Sequence, residues 1–198
     1  MNGYKKYELY QEALKFEEIE DFKEAFNLYL SSAKQGYPRA QLAVAKFYLG
    51  EGLYKGIIKA DKIKAIDYLN RAATGGNAEA KYRLAIILLE QNDDKSKFHA
   101  FELLSDASDR QYYLATVELA KCYYYGIGVQ QNYLKTLSIF EKLVYASGTY
   151  SHLECYEDIR YILEGIKSLA ADQNGKISLS GDDWCLLKDL CNDFNISD

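Results

Sequence analysis

The side chains best suited to acid–base work are the carboxylates Glu17, Glu18, Glu20 and Asp21, crowded into one short stretch. Two carboxylates serve as general acid and base only where their surroundings hold their pKa values apart; a run of them near a helix end reads instead as a solvated face. The two histidines, His99 and His152, have no Ser or Cys nearby in a nucleophile motif. Cys122, Cys155, Cys185 and Cys191 show neither Cys-x-x-Cys nor paired spacing with His, so small apolar fillers are expected rather than zinc ligands or a disulfide framework. Between Asp172 and Asp183, the residues Asp172, Asn174 and Ile177 flank Gly175 in the order of a calcium loop. That register puts Ala170 first and Gly181 twelfth, where oxygen donors are required, and the segment reads as a polar turn. Gly50-x-Gly52 and Gly126-x-Gly128 follow no strand and open no phosphate-binding fingerprint, so they turn the chain. These residues lead us to expect no enzyme, no cofactor and no metal.

The elements that carry them are helical. A single proline in 198 residues removes the commonest helix breaker, and 48% hydrophobic with 27% charged residues is an ordinary globular balance. Lys+Arg 24 against Asp+Glu 29 gives a net charge of −5, which supplies no basic footprint for nucleic acid. The first twenty residues become charged before any apolar run of signal-peptide length, and no stretch approaches ~20 uninterrupted apolar residues. A soluble, cytoplasmic protein with no membrane partner is expected.

Repetition organises the rest. Ala25, Ala65, Ala100 and Thr136 stand at equivalent places 40, 35 and 36 residues apart, and apolar residues recur one, three and four positions after each, which is one face of a helix. Between them a second helix recurs from Ala40, Ala80 and Ala115. It carries Val44, Leu84 and Leu119 at +4, Ala45, Ala85 and Ala120 at +5, and Tyr48, Leu88 and Tyr123 at +8. Alanines let two helices approach closely while the large neighbours fill the remaining space. A lone helical hairpin cannot bury both apolar faces, so the units must stack. The expected fold is all-α, a right-handed α-α superhelical solenoid of stacked helical hairpins.

The pattern resembles the Sel-one-like repeat, a relative of the tetratricopeptide repeat. The residues carrying the resemblance are Ala40, Val44, Ala45, Tyr48, Gly50, Gly52, Ala65, Tyr68 and Ala72 to Gly76, then Ala115, Leu119, Ala120, Tyr123, Gly126, Gly128 and Val129, with Asn132 where the family has Asp. Alanine replaces the family's helix-contact glycine, and in the middle unit residues 90–94 replace the glycine loop. We expect one solenoid domain over 1–198: a tetratricopeptide-like first unit at 1–36, Sel-one-like units at 37–148, and a degenerate last unit with a C-terminal cap at 149–198. A capping-box start at Ser180 opens the cap, whose helix carries Trp184, Leu187, Leu190, Cys191 and Phe194 on one side.

The resemblance implies a non-enzymatic module that binds a protein or peptide on its concave face. A narrower reading is a bacterial immunity or inhibitor protein that neutralises a toxin; the alternative is a repeat-fold hydrolase of the kind reported for exported, cysteine-rich relatives. By analogy with tetratricopeptide stacks, the inner face takes Arg39, Leu42, Lys46 and Leu49, then Glu79, Tyr82, Ile86 and Leu89, then Leu114, Val117, Lys121 and Tyr124, a mixture suited to a partner with hydrophobic and acidic residues. Two features stay open: the apolar insert from Leu53 to Ile58 either contacts a partner or packs over a hairpin, and Tyr7, Tyr10, Tyr82 and Tyr124, among nineteen tyrosines, either line the groove or fill space.

Overall fold

The structure is a computed structural model that describes residues 2–147, 156–171, 179–194 and 196. Among these, ten α-helices are present: α1 (Asn2–Glu18), α2 (Phe22–Lys34), α3 (Pro38–Leu49), α4 (Lys62–Thr74), α5 (Ala78–Leu89), α6 (Asp94–Asp109), α7 (Tyr113–Tyr125), α8 (Tyr133–Ser147), α9 (Tyr156–Ala171) and α10 (Gly181–Asp193). They fall into two compact units, one ending at Glu90 and one beginning at Gln91.

In the first unit each helix packs on the next, from α1 through α5. The recurring alanines make this close approach possible: Ala25, Ala40, Ala45, Ala65, Ala80 and Ala85 are fully buried. Asp21 and Asp61 cap α2 and α4 by accepting from Glu24 N and Lys64 N. At its other end α3 stops at Gly50, whose φ of 66° is the left-handed conformation that glycine adopts without penalty.

The second unit repeats the design. α6 packs on α7 and α7 on α8; α9 and α10 then add to α8 and to each other. Ala100, Ala115 and Ala120 are fully buried. Thr136 takes the fourth anchor position, also buried, with its hydroxyl donating to Ala120 O at 3.3 Å and Asn132 O at 3.1 Å. α7 stops at Gly126 with φ 72°, as α3 does at Gly50. Asn132, where Asp would be expected, still caps α8 by accepting from Lys135 N at 2.9 Å.

One aromatic pair is reproduced in both units. Tyr48 meets Phe26 edge-on with centroids 5.7 Å apart at 89°, and Tyr123 meets Phe101 at 5.5 Å and 88°. Such edge contacts contribute about 0.5–1.5 kcal/mol beyond burial. The packing role expected of Tyr48 and Tyr123 therefore has a defined geometry.

The apolar insert packs over its hairpin. Tyr54 stacks on Phe47 at 4.1 Å and meets Phe22 edge-on at 6.0 Å, while Ile57 and Ile58 are partly buried on the same core; of the insert's apolar side chains Leu53 is the one left exposed, at 75%. The helix expected from Ser180 is α10, with both halves of the capping box formed between Ser180 and Asp183. Leu187, Leu190, Cys191 and Phe194 are buried, and Phe194 stacks on Tyr156 of α9 at 4.9 Å. Trp184 departs from expectation: it is only half-buried, with Lys188 Nζ 6.0 Å from its ring. Of the calcium-loop residues, Asp172, Asn174, Gly175 and Ile177 lie outside the described residues, as do His152 and Cys155.

Candidate partner-binding site

In the first unit, the residues expected to face a partner gather about two clefts. Arg39, Leu42 and Lys46 of α3, with Glu79 of α5, line a cleft of about 290 Å³ that also takes in Tyr10 and Glu17 of α1, Tyr29 of α2 and Tyr54. Leu49 of α3 with Tyr82 and Ile86 of α5 line a second, of about 490 Å³, whose other walls include Ile87, Glu51 and Arg83. Helical spacing explains the division: Lys46 and Leu49, like Glu79 and Tyr82, are three residues apart and so lie one turn apart.

A chain of charges joins the clefts. Lys46 Nζ lies 2.7 Å from Glu79 Oε1, Arg83 lies 2.9 Å from Glu79, and Arg83 Nη1 donates to both carboxylate oxygens of Glu51 at 2.7 and 2.6 Å. Burial works to raise the pKa of Glu79, but hydrogen bonds and charge from Lys46 and then Arg83 outweigh it and hold the carboxyl below its ordinary value. Lys46 is thus neutralised within the protein. Arg39 is exposed and forms no ion pair among the described residues.

Glu17 requires a correction. Its place in an acidic run suggests a solvated carboxylate, yet one oxygen accepts from the Tyr29 phenol and the other from the Tyr54 phenol. Burial, then the hydrogen bond to Glu17, raises the pKa of both phenols, so they remain protonated donors. The signal that could have found this is the pair of tyrosines, but they lie 12 and 37 residues away. Asp21 of the same run is the α2 cap described above.

The second unit places its expected contact residues differently. Val117 is 1% exposed and Leu42 of the first unit 6%; both pack inward and offer a partner almost no surface, because the recurring face they share also serves helix packing. Lys121 is held by Glu118 at 2.8 Å and Asp158 of α9 at 2.7 Å. Tyr124 lies between Tyr125 and Tyr133, with ring centroids at 4.7 and 5.6 Å, and its phenol oxygen sits where a Cβ on Gly165 of α9 would be. Tyr124 is therefore chiefly a packing residue; Leu114 is half-buried.

Cys122 is buried, and desolvation pushes its thiol up to about 12, so it is an inert filler. His99 is exposed. Among the described residues, no three His, Cys, Asp or Glu side chains gather as a metal site, and no helix is long and apolar enough to cross a membrane.

Comparison with known proteins finds repeat models that match parts of the chain. A model described as Sel1 repeat matches residues 8–37 and 111–144, and one described as plant tetratrico peptide repeats matches 47–123. Among solved structures, a Sel1 repeat protein from Oxalobacter formigenes is similar with a TM-score of 0.62 at 16% identity, over 87% of this chain and 65% of that one. A protective antigen of uropathogenic Escherichia coli with an SLR fold is similar with a TM-score of 0.56 at 20% identity, over 86% of this chain and 32% of that one. An immunity protein from Pseudomonas aeruginosa aligns at 17% identity over 87% of this chain and 74% of that one, with a TM-score of only 0.38. The chain thus spans about a third of the antigen's length and just under two thirds of the Oxalobacter protein's. No curated protein matches the sequence.

Proposed function

We propose that this chain of Sel1-type, tetratricopeptide-like repeats is a non-enzymatic interaction module that binds a protein or peptide on the α3–α5 face of its first unit. The observation that carries the reading is the arrangement about the Lys46–Glu79–Arg83–Glu51 chain. Fixed charges run between a cleft lined by Leu49, Tyr82 and Ile86 and one bearing the exposed guanidinium of Arg39. Anchoring side chains beside charges already held in place need little reordering on binding, which lowers the entropic cost of association.

The expected partner presents apolar side chains to the larger cleft and an acidic group to Arg39. Lys46 and Lys121 leave the set of cations offered to it, since both are paired internally. Binding is tested with Tyr82→Ala, Ile86→Ala and Arg39→Glu against a partner recovered by co-purification from cells. Each variant is expected to weaken binding about tenfold or more with an unchanged helical spectrum. Full binding by all three would reject the face. A cytoplasmic site of action belongs to the same proposal and is read by fractionation. If the captured partner arrests growth and co-expression of this chain restores it, the module acts as an immunity protein.

A further inference from the structure

Three aliphatic side chains of the first unit stand out into solvent. Ile63 is 83%, Leu53 75% and Ile19 71% exposed, more than any other large hydrophobic side chain among the described residues. Exposed hydrophobics scattered singly need no explanation, but these three share one edge. Ile19 lies in the α1–α2 turn, Leu53 just beyond α3 and Ile63 in the first turn of α4. Tyr54, next to Leu53, donates to Glu17 and meets Phe22 edge-on, and those two residues flank the Ile19 turn. Asp61 N donates to Tyr48 O at 3.0 Å, which holds the start of α4 against the end of α3. At such exposure none of the three serves the core.

Their flanks carry opposite charge. Ile19 stands between Glu18 and Glu20, whereas Ile63 stands between Lys62 and Lys64, with Lys55 and Lys59 between it and Leu53; all six charged residues are exposed. Asp21 and Glu24 add to the two glutamates, which outweigh Lys15 and Lys23 nearby, and Asp61 is the one acid among residues 52–64. Glu18, Glu20, Lys55 and Lys59 have no ion pair among the described residues. Lys62 pairs with Glu90 at 3.0 Å and Lys64 with Asp61 at 3.4 Å, but pairs so open to solvent are worth little and give way to another partner. Turn and loop are both preformed: Glu20 N donates to Glu17 O at 3.0 Å and Asp21 N to Phe16 O at 2.9 Å, while Tyr54 N donates to Glu51 O at 3.0 Å and Ile57 N to Tyr54 O at 3.2 Å.

We infer that a second copy of this chain covers this edge, the Glu18-Ile19-Glu20 turn of each copy docking on the lysine-flanked Leu53 and Ile63 of the other. A patch of one sign would call for an unlike partner. An edge that carries both signs, each beside an apolar tip, is complementary to itself, and a two-fold rotation closes both contacts at once. Few side chains take part, against the about 800 Å² per partner of a standard interface, so the pair is weak, with a dissociation constant of about 0.1 mM, and separates at size-exclusion dilution. The inference goes beyond the α3–α5 reading and does not rest on it, because Ile19, Leu53, Lys55, Lys59 and Ile63 line neither of its clefts.

The test is sedimentation velocity of the full chain from about 10 µM to about 1 mM in about 50 mM salt, where surface charges are less screened. The native chain is expected to pass from monomer to dimer over that range, and about 0.5 M salt to reverse the shift. Glu18→Lys with Glu20→Lys, and in a separate protein Lys55→Glu with Lys59→Glu, set like charges across the contact. Each pair should raise the dissociation constant about tenfold at an unchanged melting temperature, since these four side chains are exposed and unpaired. An equimolar mixture of the two variants should associate as the native chain does, because each altered patch then meets its opposite. A native chain that stays monomeric throughout overturns the proposal, even where it binds phosphatidylserine vesicles or an acidic peptide through the lysines instead. A dimer that both variants leave intact, or a mixture that associates no better than either variant alone, overturns it equally. None of these outcomes bears on the α3–α5 face, which is read with other variants.

Discussion

The Lys46 ammonium lies 2.7 Å from the Glu79 carboxylate, and the two residues hold fixed places in the repeat. Lys46 stands six residues after Ala40 on α3, and Glu79 lies in the first turn of α5. The same relation returns in the second unit, where Lys121 stands six residues after Ala115 and reaches Asp158 in the first turn of α9 at 2.7 Å. An acid in a helix's first turn is favoured by the positive end of the helix dipole as well as by the lysine. The pairs therefore tie alternate helices together, and α5, with Ile86 at the equivalent place, lacks the cation.

A double-mutant cycle on Lys46→Met and Glu79→Gln should return a coupling of about 0.5 kcal/mol. The pH dependence carries a sign. A carboxyl whose folded pKa is depressed contributes stability above its unfolded value, about pH 4.3, and loses it as pH falls through the folded value. In urea unfolding, the stability gap between the native chain and Glu79→Gln should be constant above about pH 5 and close below about pH 4. A gap unchanged down to pH 3 would show that the ion pairs contribute nothing.

Glu17→Ala removes the acceptor of both Tyr29 and Tyr54 and leaves the buried Tyr29 phenol without a partner. A stranded buried donor costs about 1–3 kcal/mol. Urea unfolding should show that loss, and amide exchange should speed up between residues 52 and 58, where Tyr54 anchors the insert. Native stability and native exchange in this variant would contradict the clamp.

Gly165→Ala sets two effects against each other. Alanine gains about 0.8–1 kcal/mol of helix propensity, but its Cβ would overlap the Tyr124 phenol oxygen, and overpacking costs about 1–3 kcal/mol. The substitution should therefore destabilise the native chain yet become neutral or stabilising in a Tyr124→Phe background. Thermal melts of the four proteins read the sign change; an identical effect in both backgrounds would remove Tyr124 from that contact.

Much of the architecture was legible because it recurs. Ala40, Ala80 and Ala115 could be aligned from the chain alone, and all three are fully buried. Ser180 marked the start of α10 because a capping box is local. Contacts set by distant parts of the chain were not legible. Glu17 looked solvated because its tyrosines lie far off in sequence, and Trp184 looked like a core residue because helical spacing cannot tell the centre of a buried stripe from its edge. For the candidate site, the analogy with tetratricopeptide stacks named residues of α3 and α5 that line common clefts, but nothing in the sequence pointed to the internal partners of Lys46 and Lys121 or to the burial of Leu42 and Val117.

α10 and its C-terminal capping residue bury Leu187, Leu190 and Phe194 in the second unit, and Tyr156 of α9 donates to Phe194 O at 2.9 Å. Each such side chain contributes about 1.5–3 kcal/mol through burial. Truncation before Ser180 should lower the melting temperature and promote self-association, whereas Ser180→Ala should cost only about 1 kcal/mol through the lost cap. A truncated chain that melts like the native one and stays monomeric on size exclusion would show that α10 covers nothing essential.

The central claim is that a partner sits on the α3–α5 face. Its most direct test is a photo-crosslinking amino acid placed at Ile86 or, in a separate protein, at Asn27 on an exposed position of α2. After irradiation in cells, covalent adducts are identified by mass spectrometry. The account predicts one dominant adduct at Ile86 that Arg39→Glu diminishes, and no such adduct at Asn27. The same adduct at both positions, or none at Ile86 while the partner still co-purifies, would contradict it.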